Sequence, residues 1–326
     1  MSRLRSLHAR REPEVGIRVE FEGADGTNWI YRLAFTTQSK RSPLPTMKRE
    51  IVAKRRRGEE KFRIILTRPN STDKADPRLL TQTHLQQINT NRDFREPADA
   101  SASVMYLHVV PQLIRKGEAV PSGIISEDAL GRDLLERMRR TPKKSRDARF
   151  KRIEDILRIT VLQFKRLTLT EADQRGRPHL EVEFMHWCAT GARQNETQFS
   201  DGTLRLIGLL WALQEKGGVL LLKEPELSLH SGILSRLTPF IHRAQRAAGE
   251  RQVLISTHSE HLLSDEGIAP DEILLVQPLK EGSGIEVGAS NTNIRQLMMQ
   301  AGLSASEVVL PRTQAAQLNL FDKVTP

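Results

Sequence analysis

Three short polar segments in the second half of the chain hold residue types suited to phosphate chemistry. The first is Phe199-Ser200-Asp201-Gly202-Thr203, where a polar loop runs into the apolar stretch 203–214, TLRLIGLLWALQ. Ser200 can cap a helix there, and Gly202 lets backbone approach a ligand closely. Exposed N–H groups and the positive end of the helix dipole would suit a phosphate. The second segment, 219–230, reads VLLLKEPELSLH and ends an apolar run on Lys223, Glu224 and Pro225. A carboxylate at Glu224 can polarise an attacking water beside a terminal phosphate. The third, 253–259 or VLISTHS, delivers Thr257, His258 and Ser259 from another apolar run. Each also has a plain reading, as an ordinary N-cap, a charged strand end capping the next helix, and a structural histidine. Their order and spacing carry more weight than any one alone.

To bring these groups together, the chain must set a helix over 203–214 between buried strands. The runs at 219–222, 252–256 and 273–276 are short, apolar and separated by helical segments. That order predicts an α/β fold with a mostly parallel core sheet, crossover helices, and ligand chemistry at the carboxyl edge of the strands. Upstream, 17–21 and 29–35 read as a hairpin around Gly23-Ala24-Asp25-Gly26, and 63–67 as a further strand. The polar stretch 38–46, with two prolines, reads as a loop. From 79 to 157 the pattern turns helical, with apolar positions at Val104, Leu107, Val110 and Leu113, then at Leu130, Leu134, Leu135 and Met138. Residues 121–123 separate these two helices. A second hairpin spans 161–169 and 179–187 around 174–178. The divisions are a β-rich part over 1–78, a basic helical insertion over 79–160, a core with the three motifs over 161–302, and a tail over 303–326, frayed from 313.

Composition bounds the classes. A length of 326 residues, 38% hydrophobic and 28% charged, describes a folded globular chain able to bury a real core. One cysteine, Cys188, excludes an intramolecular disulfide framework, and there is no Cys/His cluster with zinc spacing. The first residues are basic without an apolar core, and no stretch has the length of a membrane span, so the expectation is a cytoplasmic protein with no membrane partner. Net charge is +10, concentrated in KRRR at 54–57 and in 132–152, which holds ten Lys or Arg against three acids. Two readings stand for these runs: a solvated helix face or basic connector, and contact with nucleic acid.

Taken together the three segments resemble the ABC-type ATPase heads of the family that includes structural-maintenance-of-chromosomes proteins, recombination mediators and overcoming-lysogenization-defect nucleases. The nearest likeness is to stand-alone bacterial AAA family ATPases, with S-x-G before a buried helix, a strand ending in acidic-Glu-Pro-Glu, and strand-Thr-His-Ser. It covers about residues 198–277. The resemblance implies that Ser200, Asp201, Gly202 and Thr203 touch the γ-phosphate of ATP held by a partner subunit. It makes Glu224 the catalytic base, His258 a second γ-phosphate contact, and Leu227, Ser228, Leu229 and His230 a dimer seam.

The same family uses ATP and magnesium, and implies a homodimer or a hetero-subunit assembly, with DNA as a candidate partner. Two features depart from it. Lys223 stands where the family has an acidic metal ligand, and a cation there would repel magnesium. Nothing matches G-x-x-x-x-G-K-[ST]: Gly16, Gly23 and Gly26 lack the following Gly-Lys-Ser/Thr, and Gly58 precedes Glu59 and Glu60. The expectation is therefore an ABC ATPase head-like fold without its first strand and phosphate loop, inactive alone and dependent on dimerisation or on a missing segment. The alternatives are a non-enzymatic nucleic-acid-binding or scaffolding subunit of a DNA repair or phage-defence complex, and a gene remnant that folds poorly by itself.

Overall fold

β-branched and aromatic residues alternating with charged ones build a four-stranded antiparallel sheet early in the chain. In the computed structural model, which describes residues 14–37, 45–116, 129–170, 176–186, 192–247, 249, 251–279 and 282–313, its strands pair in sequence order. They are β1 (Val15–Glu22), β2 (Asn28–Thr37), β3 (Pro45–Arg55) and β4 (Arg63–Arg68). The expected hairpin is β1 with β2, where Phe21 faces Trp29 and Val19 faces Tyr31. β3 corrects two expectations: it takes in residues read as loop, and the KRRR run begins inside it at Lys54 and Arg55.

The polarity of β3 hid it. Its Glu50 is buried and is satisfied only from elsewhere: Tyr31 Oη (3.1 Å), Arg68 Nη1 (3.0 Å) and the His84 and Leu85 N–H groups (3.0 and 3.2 Å) donate to it. Arg68 also donates to Asp73 from Nε and Nη2 at 2.6 to 3.1 Å. The Arg68 and Glu50 side chains are 0% exposed and that of Asp73 2%. Hydrogen bonding to Arg68 holds the Asp73 carboxyl below the usual carboxylate range. Burial, with the Glu50 charge adding to it, pushes the Tyr31 phenol well up. Between α1 (Ser71–Ala75) and α2 (Arg95–Ala102), Phe94 completes a core with Trp29, Tyr31 and Val52. The described residues of Met1–Ala102 with those of Val276–Ile285 form one compact unit, and those of Ser103–Leu275 with Glu286–Pro326 a second.

The second unit opens with β5 (Met105–Leu107), α3 (Pro111–Lys116), α4 (Leu134–Arg140) and α5 (Lys143–Thr160). An antiparallel sheet follows, made of β6 (Phe164–Thr170), β7 (His179–Phe184) and β8 (Ala192–Asn195). Next come α6 (Asp201–Gln214), β9 (Leu220–Lys223), α7 (Ser231–Ala247), β10 (Val253–Ser256) and α8 (Glu260–Leu263). The chain then forms the hairpin β11 (Leu274–Leu279) and β12 (Gly282–Val287), α9 (Thr292–Met299) and α10 (Ala305–Thr313).

The expected parallel sheet is present, in the order β10-β9-β5. Its third strand is a correction. Of the 273–276 run, 274–276 belong to the β11–β12 hairpin, and β5 borders β9 instead, inside a stretch read as helix. Val104, Leu107, Val110 and Leu113 mimic a helical period, yet the buried residues are Leu107 and Val109, with Val104 and Tyr106 exposed, which is the period of two of a strand.

Behind the sheet, α6 is buried nearly all round, and Trp211, Ile207 and Leu204 are 0% exposed. Part of the basic run on α4 and α5 is absorbed by the fold. Arg149 lies over the Trp211 ring at 4.9 Å, and Arg139 and Arg140 both pair with Glu136. No helix among the described residues is long and apolar enough to cross a membrane. Cys188, residues 38–44 and 121–123, part of the 174–178 turn, and the tail after Thr313 lie outside the described residues.

Candidate functional site

The loop before α6 is fixed from two sides. Ser200 is the N-cap, extended at φ −63° and ψ 155°, and its Oγ accepts from Thr203 N at 3.1 Å. This is a local consequence of a serine three residues before the first apolar turn. Asp201, the first helical residue, is held from α3: Arg115 Nη2 lies 2.6 Å from its Oδ1, and Gln112 Nε2 donates to its Oδ2 at 3.0 Å. Arg115 Nη2 also donates to the Phe199 carbonyl at 2.6 Å. At Gly202 a Cβ would overlap the carbonyl oxygen of Ser228. Hence the first motif sits directly against the turn that follows the second.

That second motif leaves the sheet abruptly. β9 is the central strand, with Leu220 and Leu222 buried, and at its carboxyl end the Glu224 N–H donates to Ser256 O at 2.9 Å. Glu224 and Ser228 then take φ of +44° and +61°, conformations that cost non-glycine residues of order 1–3 kcal/mol each and cluster at functional sites. Leu227 N donates to Glu224 O and Leu229 N to Glu226 O, closing a compact turn into α7. On this turn Leu227, Ser228 and His230 are exposed, whereas Leu229 packs against the main core. Lys223 has an exposed side chain, and its carbonyl accepts from His108 Nδ1 at 3.2 Å when that nitrogen carries the proton.

Glu226 joins the second motif to the third. Its Oε1 accepts from Thr257 Oγ1 at 2.6 Å and from His258 N at 3.2 Å, and Thr257 Oγ1 accepts from Ser259 N at 2.9 Å. Its Oε2 is buried with no hydrogen-bond partner among the described residues. The His258 side chain is exposed, so this backbone clamp leaves the imidazole open to a ligand. All three predicted segments are thus brought together, the first touching the second at Gly202 and the second bonded to the third through Glu226.

Sequence reasoning missed four contributors. Glu226 had a signal, a second acid two residues after Glu224, but His108, Gln112 and Arg115 had none. They reach the site from the residue after β5 and from α3, some 84 residues earlier in the case of Arg115 and Phe199.

Glu226→Ala removes an acceptor from two donors and should cost about 1–3 kcal/mol. It should also speed amide exchange at His258 and Ser259, while Glu226→Gln, which keeps one oxygen, holds most of the protection. Equal exchange in all three proteins would mean that Glu226 does not hold this turn.

A family model described as AAA domain, putative AbiEii toxin, Type IV TA system matches residues 4–264. No curated protein sequence matches the chain. Among solved structures, the Smc head domain with a coiled coil and joint derived from Pyrococcus yayanosii is 16% identical at a TM-score of 0.33, covering 43% of this chain and 26% of that one. This chain therefore spans about a quarter of that relative's length. The Thermotoga maritima SMC head domain is 12% identical with a TM-score of 0.34, over 80% of this chain and 74% of that one. The SmcHead bound to the C-winged helix domain of ScpA is 13% identical with a TM-score of 0.41, over 79% and 73%.

Proposed function

We propose that this chain, which belongs to the family described as AAA domain, putative AbiEii toxin, Type IV TA system, works as an ABC-type ATPase head acting across a subunit interface. Ser200, Gly202 and Thr203 face the terminal phosphate of a nucleotide held by a second subunit, Glu224 takes the proton of the attacking water, and His258 contacts the same phosphate. Leu227, Ser228 and His230 lie at the seam. The observation that carries this reading is the convergence of three motifs on one rim, through the Gly202 approach to Ser228 and the Glu226 bonds to Thr257 and His258.

The rim fits a phosphate. Ser200 takes the Thr203 and Leu204 N–H groups through its Oγ and its carbonyl, which leaves those of Asp201 and Gly202 at the mouth of α6, and Gly202 keeps side-chain bulk off the loop. It does not fit magnesium at Lys223, an exposed cation at the end of β9 whose side chain offers a metal no oxygen and would repel it, so no step here runs through the metal. Bound ATP would supply the γ-phosphoryl group as electrophile. The chain's own residues align that group, through the α6 N–H donors and His258, and accept a proton at the Glu224 carboxylate.

The test is ATP-dependent self-association of the full chain, followed by light scattering. ATP should shift wild type toward dimer, and Glu224→Gln should hold the dimer longer by slowing hydrolysis about 10²–10⁴-fold. Turnover by the lone chain at about ten per second or more, lost in Glu224→Gln, would keep the site and overturn the dependence on a second subunit. No effect of ATP on either protein would remove the reading.

A further inference from the structure

An acid at the mouth of a phosphate-facing helix is an electrostatic problem. Asp201 stands in the first turn of α6, between Ser200 and Gly202, where its charge would oppose a phosphate even as it favours the helix dipole. Both of its carboxylate oxygens are occupied, Oδ1 by Arg115 and Oδ2 by Gln112. The pair is partly sheltered, with Arg115 23% and Asp201 38% exposed, so the interaction is screened less than a surface ion pair. Arg115 also fixes the Phe199 carbonyl from the same nitrogen, and Phe199 is itself buried. One guanidinium therefore ties together the residues on both sides of the N-cap.

We infer that Arg115, assisted by Gln112, is a positioning residue for this rim: it neutralises Asp201 and sets the 199–203 backbone so that the α6 N–H groups face an incoming phosphate. This rests on the reading of the rim as phosphate-facing. Asp201, on this view, touches no phosphate; its role is to hold the loop through α3. Lysine at 115 keeps the charge, and because both bonds leave from one nitrogen, an ammonium with its three donors can supply both.

The discriminating measurement is a charge suppression. The full chain is titrated with ATP by calorimetry as wild type, Arg115→Ala, Asp201→Asn and the double variant. Arg115→Ala exposes an unpaired carboxylate to the phosphate and should weaken binding about tenfold, whereas adding Asp201→Asn should restore it to within about threefold of wild type. A plain tether between α3 and α6 predicts the opposite: Asp201→Asn alone would be as damaging as Arg115→Ala, and the double variant would not recover. That pattern would overturn the inference while leaving the site reading in place.

A second arm needs no nucleotide. Amide exchange over 199–204 should quicken in Arg115→Ala and stay close to wild type in Arg115→Lys. If wild type takes up no ATP, the phosphate reading fails, and this arm decides the positioning role by itself: quickened exchange upholds it, and unchanged exchange removes it.

Discussion

Arg68→Met is expected to destabilise the first compact unit by about 3–5 kcal/mol at neutral pH, the cost of removing one partner from a buried ion cluster. Methionine keeps most of the volume, so the loss is electrostatic. Glu50 and Asp73 would be left as two buried carboxylates without their shared cation, their side chains 0% and 2% exposed. The sign of the pH dependence is fixed by the shifts. In wild type the Asp73 carboxyl is held low by hydrogen bonding to Arg68, so its stabilisation is present above the unfolded carboxylate pKa and is lost as pH falls through the lower folded value. In Arg68→Met the Asp73 carboxylate loses that partner and burial favours its protonated form, so the variant gains stability as pH falls. The gap between the two proteins should therefore narrow from pH 7 toward pH 4. Urea titrations at both pH values, followed by fluorescence, measure it. A penalty under about 1 kcal/mol, or one independent of pH, would show that the cluster does not hold the sheet to the segment carrying His84 and Leu85.

Gly202→Ala is expected to reverse the usual sign of a glycine-to-alanine change. Inside a helix alanine is normally favoured by about 1 kcal/mol. Here its Cβ would overlap the Ser228 carbonyl oxygen, and a backbone atom cannot rotate away as a side-chain tip can. Ser228 is already at φ +61°, so its turn has little freedom to yield. The first turn of α6 and the turn after Glu224 must then separate, with an expected loss of about 1–3 kcal/mol by analogy with an overpacked core. Thermal unfolding reads the stability term, and ATP-dependent association reads the rim. A variant more stable than wild type, with association intact, would mean that the two motifs are not in contact.

Much of the site was legible locally. Ser200 as N-cap, the apolar helix after it, the acid-and-proline turn after β9 and the Thr-His-Ser end of β10 each follow from preferences that act over a few residues: capping, apolar runs and turn chemistry. The antiparallel pairing of β1 with β2 was legible for the same reason, two alternating runs joined by a short glycine-containing turn. β3 was not, because a strand with Lys48, Arg49 and Glu50 in it looks like loop until Arg68 is known to meet Glu50.

Local sequence carries the residue types suited to phosphate chemistry and most of the elements that hold them. Folding supplies what stands beside them: β5 rather than the 273–276 run along β9, Arg115 and Gln112 on Asp201, and Glu226 on Thr257 and His258. The reason is physical. A cap or an apolar period is satisfied within one element, but the partner of a strand edge or a sheltered charge is whichever group the folded chain brings within about 3 Å. Nothing in the local sequence encodes that distance.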